Sequence, residues 1–211
     1  MTLGFFTVFR RDPQHYVCAR LLVRSARYFM PGLEIVQLTD TKSPVVPGVD
    51  RTVRLPHGRM LERRLEHYAA CQGDWMLFDT DTVLQRDVRD VFDSDFDVAL
   101  TDRQWSHVVQ SQEFMRDMPF NTGVCFSRSS AFWSAVLEVW RGFTPDQQAD
   151  WMSEQRAVAE VVRRDVFTVM VLPGMVYNYP PTTKTDEGLA TAAVCHFKGK
   201  RKAWMIERAH G

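Results

Sequence analysis

The chain has 211 residues, a length that fits one α/β domain, and its 26 basic and 26 acidic side chains cancel. This balance excludes an overall electrostatic field that would draw the protein to nucleic acid or to a membrane surface. With 45% apolar residues the chain can bury a core, yet no run approaches the roughly 18 apolar residues of a membrane span. We therefore expect one domain over residues 1–211, with no integral membrane segment.

The N-terminus and the cysteines both indicate a cytoplasmic protein. The first apolar run is short, and its arginines follow it instead of preceding it, unlike a secretory signal. The four cysteines are far apart, form no CxxC pair and lie in apolar segments, where free cysteine behaves as a small buried hydrophobic residue. Such cysteines are typical of a reducing compartment.

Hydrophobic patterns predict strands and helices in alternation over the first part of the chain. In the first helix Pro13 occupies the first turn, where a backbone N–H has no helical partner anyway. The segment WMLF has no polar alternation, as expected of a central parallel strand covered on both faces. In chain order we predict a strand at 4–10, a helix at 13–29, strands at 33–40 and 50–55, a helix at 59–71 and a strand at 75–78.

The second part of the chain continues this pattern. Its longest predicted helix is capped by Ser129 or Ser130 and packs through Trp133, Val136 and Trp140. Alternating elements with short connections predict an α/β sheet that is parallel at first and mixed later. We predict strands at 96–102, 121–128, 166–172 and 193–197, and helices at 129–143 and 153–164.

Two aspartates, Asp79 and Asp81, follow the apolar strand at 75–78. Side chains two positions apart in an extended chain point the same way, so the two carboxylates converge. In a sheet of this kind, ligands bind beyond the carboxyl ends of the strands. Converging anions at a dry strand end repel each other unless one takes up a proton or a cation lies between them. The pair therefore indicates a metal site or, more simply, a solvated strand end.

The segment MLFDTDTVL also fits the DxDx[TV] pattern of haloacid-dehalogenase-like phosphatases, with Asp79 and Asp81 as the reacting carboxylates and Thr101 as a later hydroxyl. That motif normally opens its fold, whereas several elements precede it here. Those phosphatases also need an acidic pair after a later strand, and VFTVMVLPGMVYN offers no carboxylate. A phosphatase remains the alternative prediction.

Three later segments join the aspartates in a different pattern: NTG at 121–123, EQ at 154–155 and HFKGKRKAW at 196–204. With DTD, in this order, they resemble the GT-A glycosyltransferases of the retaining family 8 type, related to glycogenin and the bacterial lipopolysaccharide galactosyltransferases. The marks of that family are DxD, NxG, DQ and HFxGxxKPW. Glu154 departs from the pattern where the family has Asp, and Ala203 replaces proline. The resemblance implies a GT-A, Rossmann-like nucleotide-diphospho-sugar transferase fold, with a central mixed, mostly parallel sheet flanked by helices.

The resemblance implies that Asp79, Asp81 and His196 hold a divalent ion that bridges the diphosphate of a nucleotide sugar, a UDP-sugar. Carboxylates together with an imidazole favour Mn²⁺ over Ca²⁺, with Mg²⁺ as the other candidate. The ion would stabilise the negative charge that grows on the leaving nucleoside diphosphate. The implied reaction transfers a hexose to an acceptor with retention of configuration.

Further residues match family positions that touch the donor or the acceptor. The residues called catalytic would contact the sugar, the acceptor or the leaving group, and the donor-binding residues would surround the base and the diphosphate. By resemblance, the catalytic residues are Asp102, Asn121, Gln155 and Lys202, and the donor-binding residues are Thr7, Val8, Asp40, Arg63, Thr80, Gly199 and Lys202. From the residues alone, Asp40 fits a turn and Arg63 a surface arginine equally well, and Lys198 fits a solvated basic tail.

The acceptor stays open among a glycan, a protein side chain and a modified base in DNA. The neutral total charge opposes DNA, although several arginines and the 198–202 cluster could form one basic face. The polar and aromatic segment 103–119 is long enough for a lid or an acceptor loop, in which Trp105 and His107 could contact the acceptor. The non-enzymatic alternative is a binding module that keeps this fold to bind a nucleotide sugar without transferring the sugar.

Overall fold

The computed structural model describes residues 1–8, 13–103 and 111–208. Nine strands alternate with eight helices in this part of the chain. The strands are β1 (Thr2–Thr7), β2 (Glu34–Asp40), β3 (Arg51–Leu55), β4 (Trp75–Phe78), β5 (Thr82–Leu84), β6 (Val98–Asp102), β7 (Phe120–Ser127), β8 (Val169–Leu172) and β9 (Val194–His196). The helices are α1 (Pro13–Phe29), α2 (Met60–Ala69), α3 (Gln112–Asp117), α4 (Ser130–Arg141), α5 (Pro145–Ala149), α6 (Ser153–Arg163), α7 (Gly174–Tyr177) and α8 (Lys202–Arg208).

Seven strands form one mixed sheet in the order β3-β2-β1-β4-β7-β6-β8. Within this sheet β7 runs against its neighbours β4 and β6, and the remaining pairs are parallel. The predicted α/β sheet, parallel at first and mixed later, is confirmed. The prediction that WMLF is a central parallel strand holds for one neighbour only, because β4 is parallel to β1 but antiparallel to β7.

The strand order reverses direction between β1 and β4. From β1 the chain moves outward to β2 and β3, and it then returns to place β4 on the other side of β1. The connections after β1 and β4 therefore diverge and leave a crevice at the edge where these strands end, which is the usual ligand position in open α/β sheets. We call this the carboxyl edge, defined by Thr7, Asp40 and Phe78. Because β7 runs the opposite way, its first residues also lie there.

Helices cover both faces of the sheet, and alternate strand residues supply the two cores. On one face α1 packs through Leu22 and Ala26 against residues such as Phe5 and Phe78. On the other face α2, α4 and α6 pack against residues such as Leu77. Both faces of β4 are apolar, with Met76 and Phe78 in one core and Trp75 and Leu77 in the other, which explains why WMLF lacks polar alternation.

The helix α4 confirms the predicted cap and packing face. The Ser129 hydroxyl accepts a hydrogen bond from the backbone N–H of Phe132, so Ser129 is the N-cap. The Trp133 indole N–H donates to Ser127 at 3.0 Å, and the Trp140 indole N–H donates to Ser153 at 2.8 Å. Both indoles are buried, and each polar N–H is thereby satisfied.

A short ribbon of two strands joins the middle of the chain to its last strand. β5 and β9 pair antiparallel, with Thr82 opposite His196. The Phe197 N–H donates to the Asp81 carbonyl at 2.8 Å and extends this pairing towards the aspartates. β9 lies within the predicted strand at 193–197, whereas β5, with three residues, is too short to show a hydrophobic period. The ribbon carries His196 to the carboxyl edge.

The four cysteines are buried and unpaired with each other, as predicted. Across the described ranges, every helix is too short or too polar to cross a membrane.

Two tryptophans provide a test of this packing. Trp140 is 1% exposed, whereas Trp151, between α5 and α6, is 75% exposed. Trp140→Ala should lower the free energy of unfolding by about 3–5 kcal/mol, because it empties a large core volume. Trp151→Ala should change it by about 0.5 kcal/mol or less. Urea denaturation followed by circular dichroism measures both, and similar losses in the two variants would contradict the described core.

Candidate active site at the carboxyl edge

A cleft of about 820 Å³ opens at the carboxyl edge, between the ends of β1 and β4. Such a volume lies within the roughly 300–1,000 Å³ range of small-molecule sites. Eight of the predicted site residues line it: Thr7, Val8, Asp40, Arg63, Asp79, Thr80, Asp81 and Gln155. The crevice left by the reversal of strand order thus collects residues that are far apart in the sequence.

The two aspartates and His196 form a compact group at one side of this cleft. One ligand atom from each of the three side chains lies within 4.8 Å of the other two. The His196 Nε2 is 3.1 Å from Asp81 Oδ1 and 3.6 Å from Asp79 Oδ2. The two carboxylates converge as the sequence predicts, and the β5–β9 ribbon supplies the imidazole.

Asp81 is kept ionised by two cationic or polarisable neighbours. Lys202 Nζ lies 2.7 Å from Asp81 Oδ2, and His196 approaches the other oxygen. Burial acts to raise the pKa of Asp81, but His196 and Lys202 outweigh it and hold the pKa of this carboxylate below its ordinary value. The side chain is therefore an anion in spite of its burial.

The donor set fits a divalent transition metal or Mg²⁺. It offers carboxylate oxygens from Asp79 and Asp81 together with one imidazole nitrogen from His196. Carboxylate with imidazole is a ligand combination that Mn²⁺ accepts well. The second oxygen of Asp81 is engaged by Lys202, which leaves one oxygen of this residue directed at the group.

Arg64, the neighbour of the predicted donor-binding residue Arg63, faces Asp79. The Arg64 Nη2 lies 2.9 Å from Asp79 Oδ1, and its Nε lies 3.4 Å from Glu154 Oε2. Burial would lower the pKa of this guanidinium, but the two carboxylates raise it, so Arg64 is a permanent cation. Arg63 lines the cleft and pairs with Glu66 on its own helix. Adjacent residues on a helix point about 100° apart, so Arg64 lies on the side of Tyr68, which it contacts, and Arg63 does not.

Glu154 and Gln155 open α6 at the far side of the cleft. Burial raises the pKa of Glu154 above its ordinary value, while Arg64 acts in the opposite direction. Among the described residues, Glu154 Oε1 and Gln155 Oε1 are buried and accept no hydrogen bond. Two unsatisfied acceptors lining a cleft are suited to a ligand that brings hydroxyl groups.

The NTG motif at the start of β7 has a tightly packed position. The Asn121 Oδ1 accepts a hydrogen bond from the Gly123 N–H at 3.0 Å. A Cβ atom at Gly123 would overlap the His196 imidazole, so the glycine makes room for that side chain.

Two further predicted residues make hydrogen bonds within the protein. The Asp40 Oδ1 accepts from the backbone N–H groups of Lys42 and Ser43, which closes a turn after β2. The Asp102 Oδ1 accepts from the Gly174 N–H at 2.9 Å and fixes the start of α7. These contacts do not test the predicted donor and acceptor roles of the two residues.

The C-terminal basic cluster divides into buried and exposed members. Lys202 is buried against Asp81, whereas Lys200 is exposed. Lys198 does not fit the predicted solvated tail, because its ammonium is buried and burial lowers its pKa to about 7. Gly199 has φ +59°, and there is open space around it. The lining of the cleft does not include Gly199, His196 or Lys202.

The predicted lid at 103–119 is described only in part. Trp105 and His107 lie outside the described residues. Residues of this segment that are described include α3, a helix that the sequence analysis did not predict. The Ser111 hydroxyl caps it by accepting from the Phe114 N–H.

The difference between Arg63 and Arg64 is measurable. Arg64→Ala leaves Glu154 buried without its cation and should lower the free energy of unfolding by about 3–5 kcal/mol at neutral pH. The matched variant Arg63→Ala removes a partly exposed pair and should lower it by about 1 kcal/mol or less. Burial raises the pKa of Glu154, and a raised carboxyl pKa favours the protonated folded form as the pH falls. The Arg64→Ala deficit should therefore shrink towards acid pH, and denaturation curves at several pH values test this.

The sequence matches no protein-family model and no curated protein. Solved structures, however, are similar over the whole fold. A glycosyltransferase involved in glycosylation of the major capsid of PBCV-1 shares 15% identity at a TM-score of 0.64, with 100% of both chains covered. The galactosyltransferase LgtC, in complex with donor and acceptor sugar analogues, shares 14% identity at a TM-score of 0.59, with 99% of this chain and 93% of that one covered.

The glycosyltransferase GlyE of Streptococcus pneumoniae TIGR4 gives 15% identity and a TM-score of 0.65. The alignment covers 97% of the present chain and 59% of GlyE. At such low identity these likenesses establish the fold, and the chain has the GT-A glycosyltransferase fold.

Proposed function

We propose that this protein is a metal-dependent glycosyltransferase that moves a hexose from a UDP-sugar to an acceptor hydroxyl, with retention of configuration. The observation that carries the proposal is the Asp79, Asp81 and His196 group at the carboxyl edge of a sheet with the GT-A fold. The fold supports a nucleotide-sugar donor, and the donor set supports Mn²⁺ or Mg²⁺. The proposed enzyme is a single domain over residues 1–211 that works in the cytoplasm.

In this proposal Asp79, Asp81 and His196 hold the metal ion. When bound, the ion stabilises the charge of the departing nucleoside diphosphate. Lys202 already lies against Asp81, and Arg64 already lies against Asp79. Both cations would therefore lie at the side where a diphosphate meets the metal, and both would add positive charge to a partly buried site.

The donor would lie along the cleft with its base and its sugar at opposite sides. Thr7, Val8 and Asp40 lie by the ends of β1 and β2 and would surround the base. The proposed contacts to the diphosphate are Thr80, Arg63 and the backbone near Gly199. At the other side, the buried acceptor oxygens of Glu154 and Gln155 would receive hydrogen bonds from sugar hydroxyl groups. Asp102 and Asn121 complete the proposed catalytic set around the sugar and the acceptor.

The proposed acceptor carries a hydroxyl group, and a glycan, a protein side chain and a modified base in DNA all satisfy this chemistry. The haloacid-dehalogenase-like alternative gains no support. β4, which precedes Asp79, is the fourth strand of the chain, and the segment after β8 supplies no carboxylate.

Donor binding should depend on the metal. UDP at about 100 times its dissociation constant should stabilise the folded protein by about 2.7 kcal/mol, and this should appear as a higher melting temperature in Mn²⁺. In excess EDTA, or in the Asp81→Asn variant, UDP should give little or no shift, because the diphosphate meets the aspartates without a cation between them. An equal shift with and without Mn²⁺ would contradict the assigned metal site.

Substitution of two nearby lysines tests whether Lys202 acts in catalysis or is only a charge of the basic cluster. Lys202→Ala should lower the rate of UDP release from a UDP-sugar by a hundred- to thousandfold, or about 2–4 kcal/mol in the transition state, the size of one oxyanion contact. Lys200→Ala should be nearly silent because that side chain is exposed. Circular dichroism of both variants checks that the fold is intact. Small and equal effects would remove Lys202 from the proposed mechanism.

A further inference from the structure

A fully buried amide, Asn178, lies directly behind the proposed metal ligand His196. Its Oδ1 is 2.7 Å from His196 Nδ1. Its Nδ2 is 2.7 Å from Thr101 Oγ1 and 2.8 Å from Asn121 Oδ1. Asn178 follows α7, whose first residue is held by Asp102. No part of the sequence pattern singled out this residue.

The orientation of each amide in this network follows from a backbone N–H group, which can only donate. The Gly123 N–H points at the side chain of Asn121, so the atom that faces it must be the acceptor Oδ1. The same oxygen faces Asn178, so Asn178 must present its NH₂ group there. The remaining atom of the Asn178 amide, its oxygen, then faces His196.

Thr101 is compatible with this orientation. Its Oγ1 donates to the Asn121 carbonyl at 2.8 Å, and it can therefore accept the hydrogen bond from Asn178 Nδ2. The Gly123 N–H thus fixes the amide through Asn121, and the Thr101 hydroxyl, which can donate or accept, satisfies the remaining contact.

The orientation of Asn178 decides the protonation pattern of the imidazole. Because Asn178 Oδ1 can only accept, His196 Nδ1 must carry a proton and donate it. Nε2, which faces Asp79 and Asp81, is then the nitrogen that can offer its lone pair to a metal ion or carry the second proton of the imidazolium. Three acceptors directed at one point are compatible only with a cation or a proton between them. A partner that fixes the tautomer is a regular feature behind metal-binding histidines.

We propose that Asn178 is a positioning residue that holds His196 in the tautomer whose Nε2 binds the metal ion. Asn121 and Gly123 are the first members of this relay: the glycine N–H orients Asn121, Asn121 orients Asn178, and Asn178 orients the imidazole. Gly123 also leaves the space that the imidazole fills. The inference rests on the proposed metal site, but it assigns the NTG motif a task that involves no contact with sugar or acceptor.

The experiment measures binding of Mn²⁺ alone to the full chain by isothermal titration calorimetry and electron paramagnetic resonance. Asn178→Ala removes the acceptor for His196 Nδ1 and should weaken Mn²⁺ binding by about 10- to 100-fold, the usual effect of losing such a partner. Asn178→Asp keeps an oxygen facing Nδ1 and should bind Mn²⁺ more tightly than Asn178→Ala does.

Thr101→Val is the matched control. It damages the same buried network but leaves the contact between Asn178 and His196, so it should lose stability while its Mn²⁺ affinity stays within about threefold of wild type. If Thr101→Val and Asn178→Ala lose Mn²⁺ affinity equally, the effect is general damage to the core and the proposal is overturned.

Nitrogen NMR of the Zn²⁺-loaded protein reads the tautomer directly, with His196→Gln used to assign the signal. A proton on Nδ1 and the metal on Nε2 support the proposal, and the reverse pattern overturns it. These measurements need no turnover. If the tautomer and the Mn²⁺ affinities come out as expected while no UDP-sugar is consumed, the relay stands and the proposed glycosyl transfer fails.

Discussion

The repulsion between Asp79 and Asp81 is the constraint on which the site depends. Two carboxylates converge at the end of a buried strand, Asp81 buried and Asp79 partly exposed, so water screens their repulsion only in part. Each carboxylate has its own cation, Arg64 from α2 at Asp79 and Lys202 from α8 at Asp81. The imidazole of His196, from β9, lies between the two carboxylates. Three elements from different parts of the chain are thus held at one edge of the sheet by charge as well as by packing.

The same arrangement explains how the two carboxylates stay close together. Arg64 and Lys202 each balance one carboxylate, so both aspartates can remain ionised side by side. In the proposed metal site, ligands already in place would lower the cost of ordering them around an ion. The network behind His196 extends this order one layer deeper, through Asn178 to the backbone of β7.

Much of the fold followed from the sequence because local signals and global structure agree. The apolar runs that became β1, β2 and β4, the helix that begins at Pro13, and the Ser129 cap are all short-range patterns. The aspartate pair alone left several interpretations open, and it was recognisable because NTG, EQ and HFKGKRKAW follow it in the order of a known family pattern. The mixed direction of the sheet was also anticipated, although no pattern showed which pair of strands would be antiparallel.

The parts that were missed depend on contacts between distant residues. The strand at 193–197 was predicted, but its partner β5 has only three residues, and α3 has only six. Arg64 lies on the same side of α2 as Tyr68, but its contacts with Asp79 and Glu154 join it to residues far away in the sequence. Asn178 has no motif, because its role comes from Thr101, Asn121 and His196, which three different strands bring together.

The β5–β9 ribbon has a consequence for the order in which the protein is made. Asp81 and His196 are 115 residues apart, so their contact closes a very long loop and costs more chain entropy than the pairing of β1 with β2. During synthesis the sheet strands that carry the aspartates leave the ribosome long before His196 and Lys202 do. A nascent chain therefore passes through a stage in which Arg64 is available to the aspartate pair but the C-terminal groups are not. The complete group of Asp79, Asp81 and His196, the proposed metal site, forms only when the last strand is added.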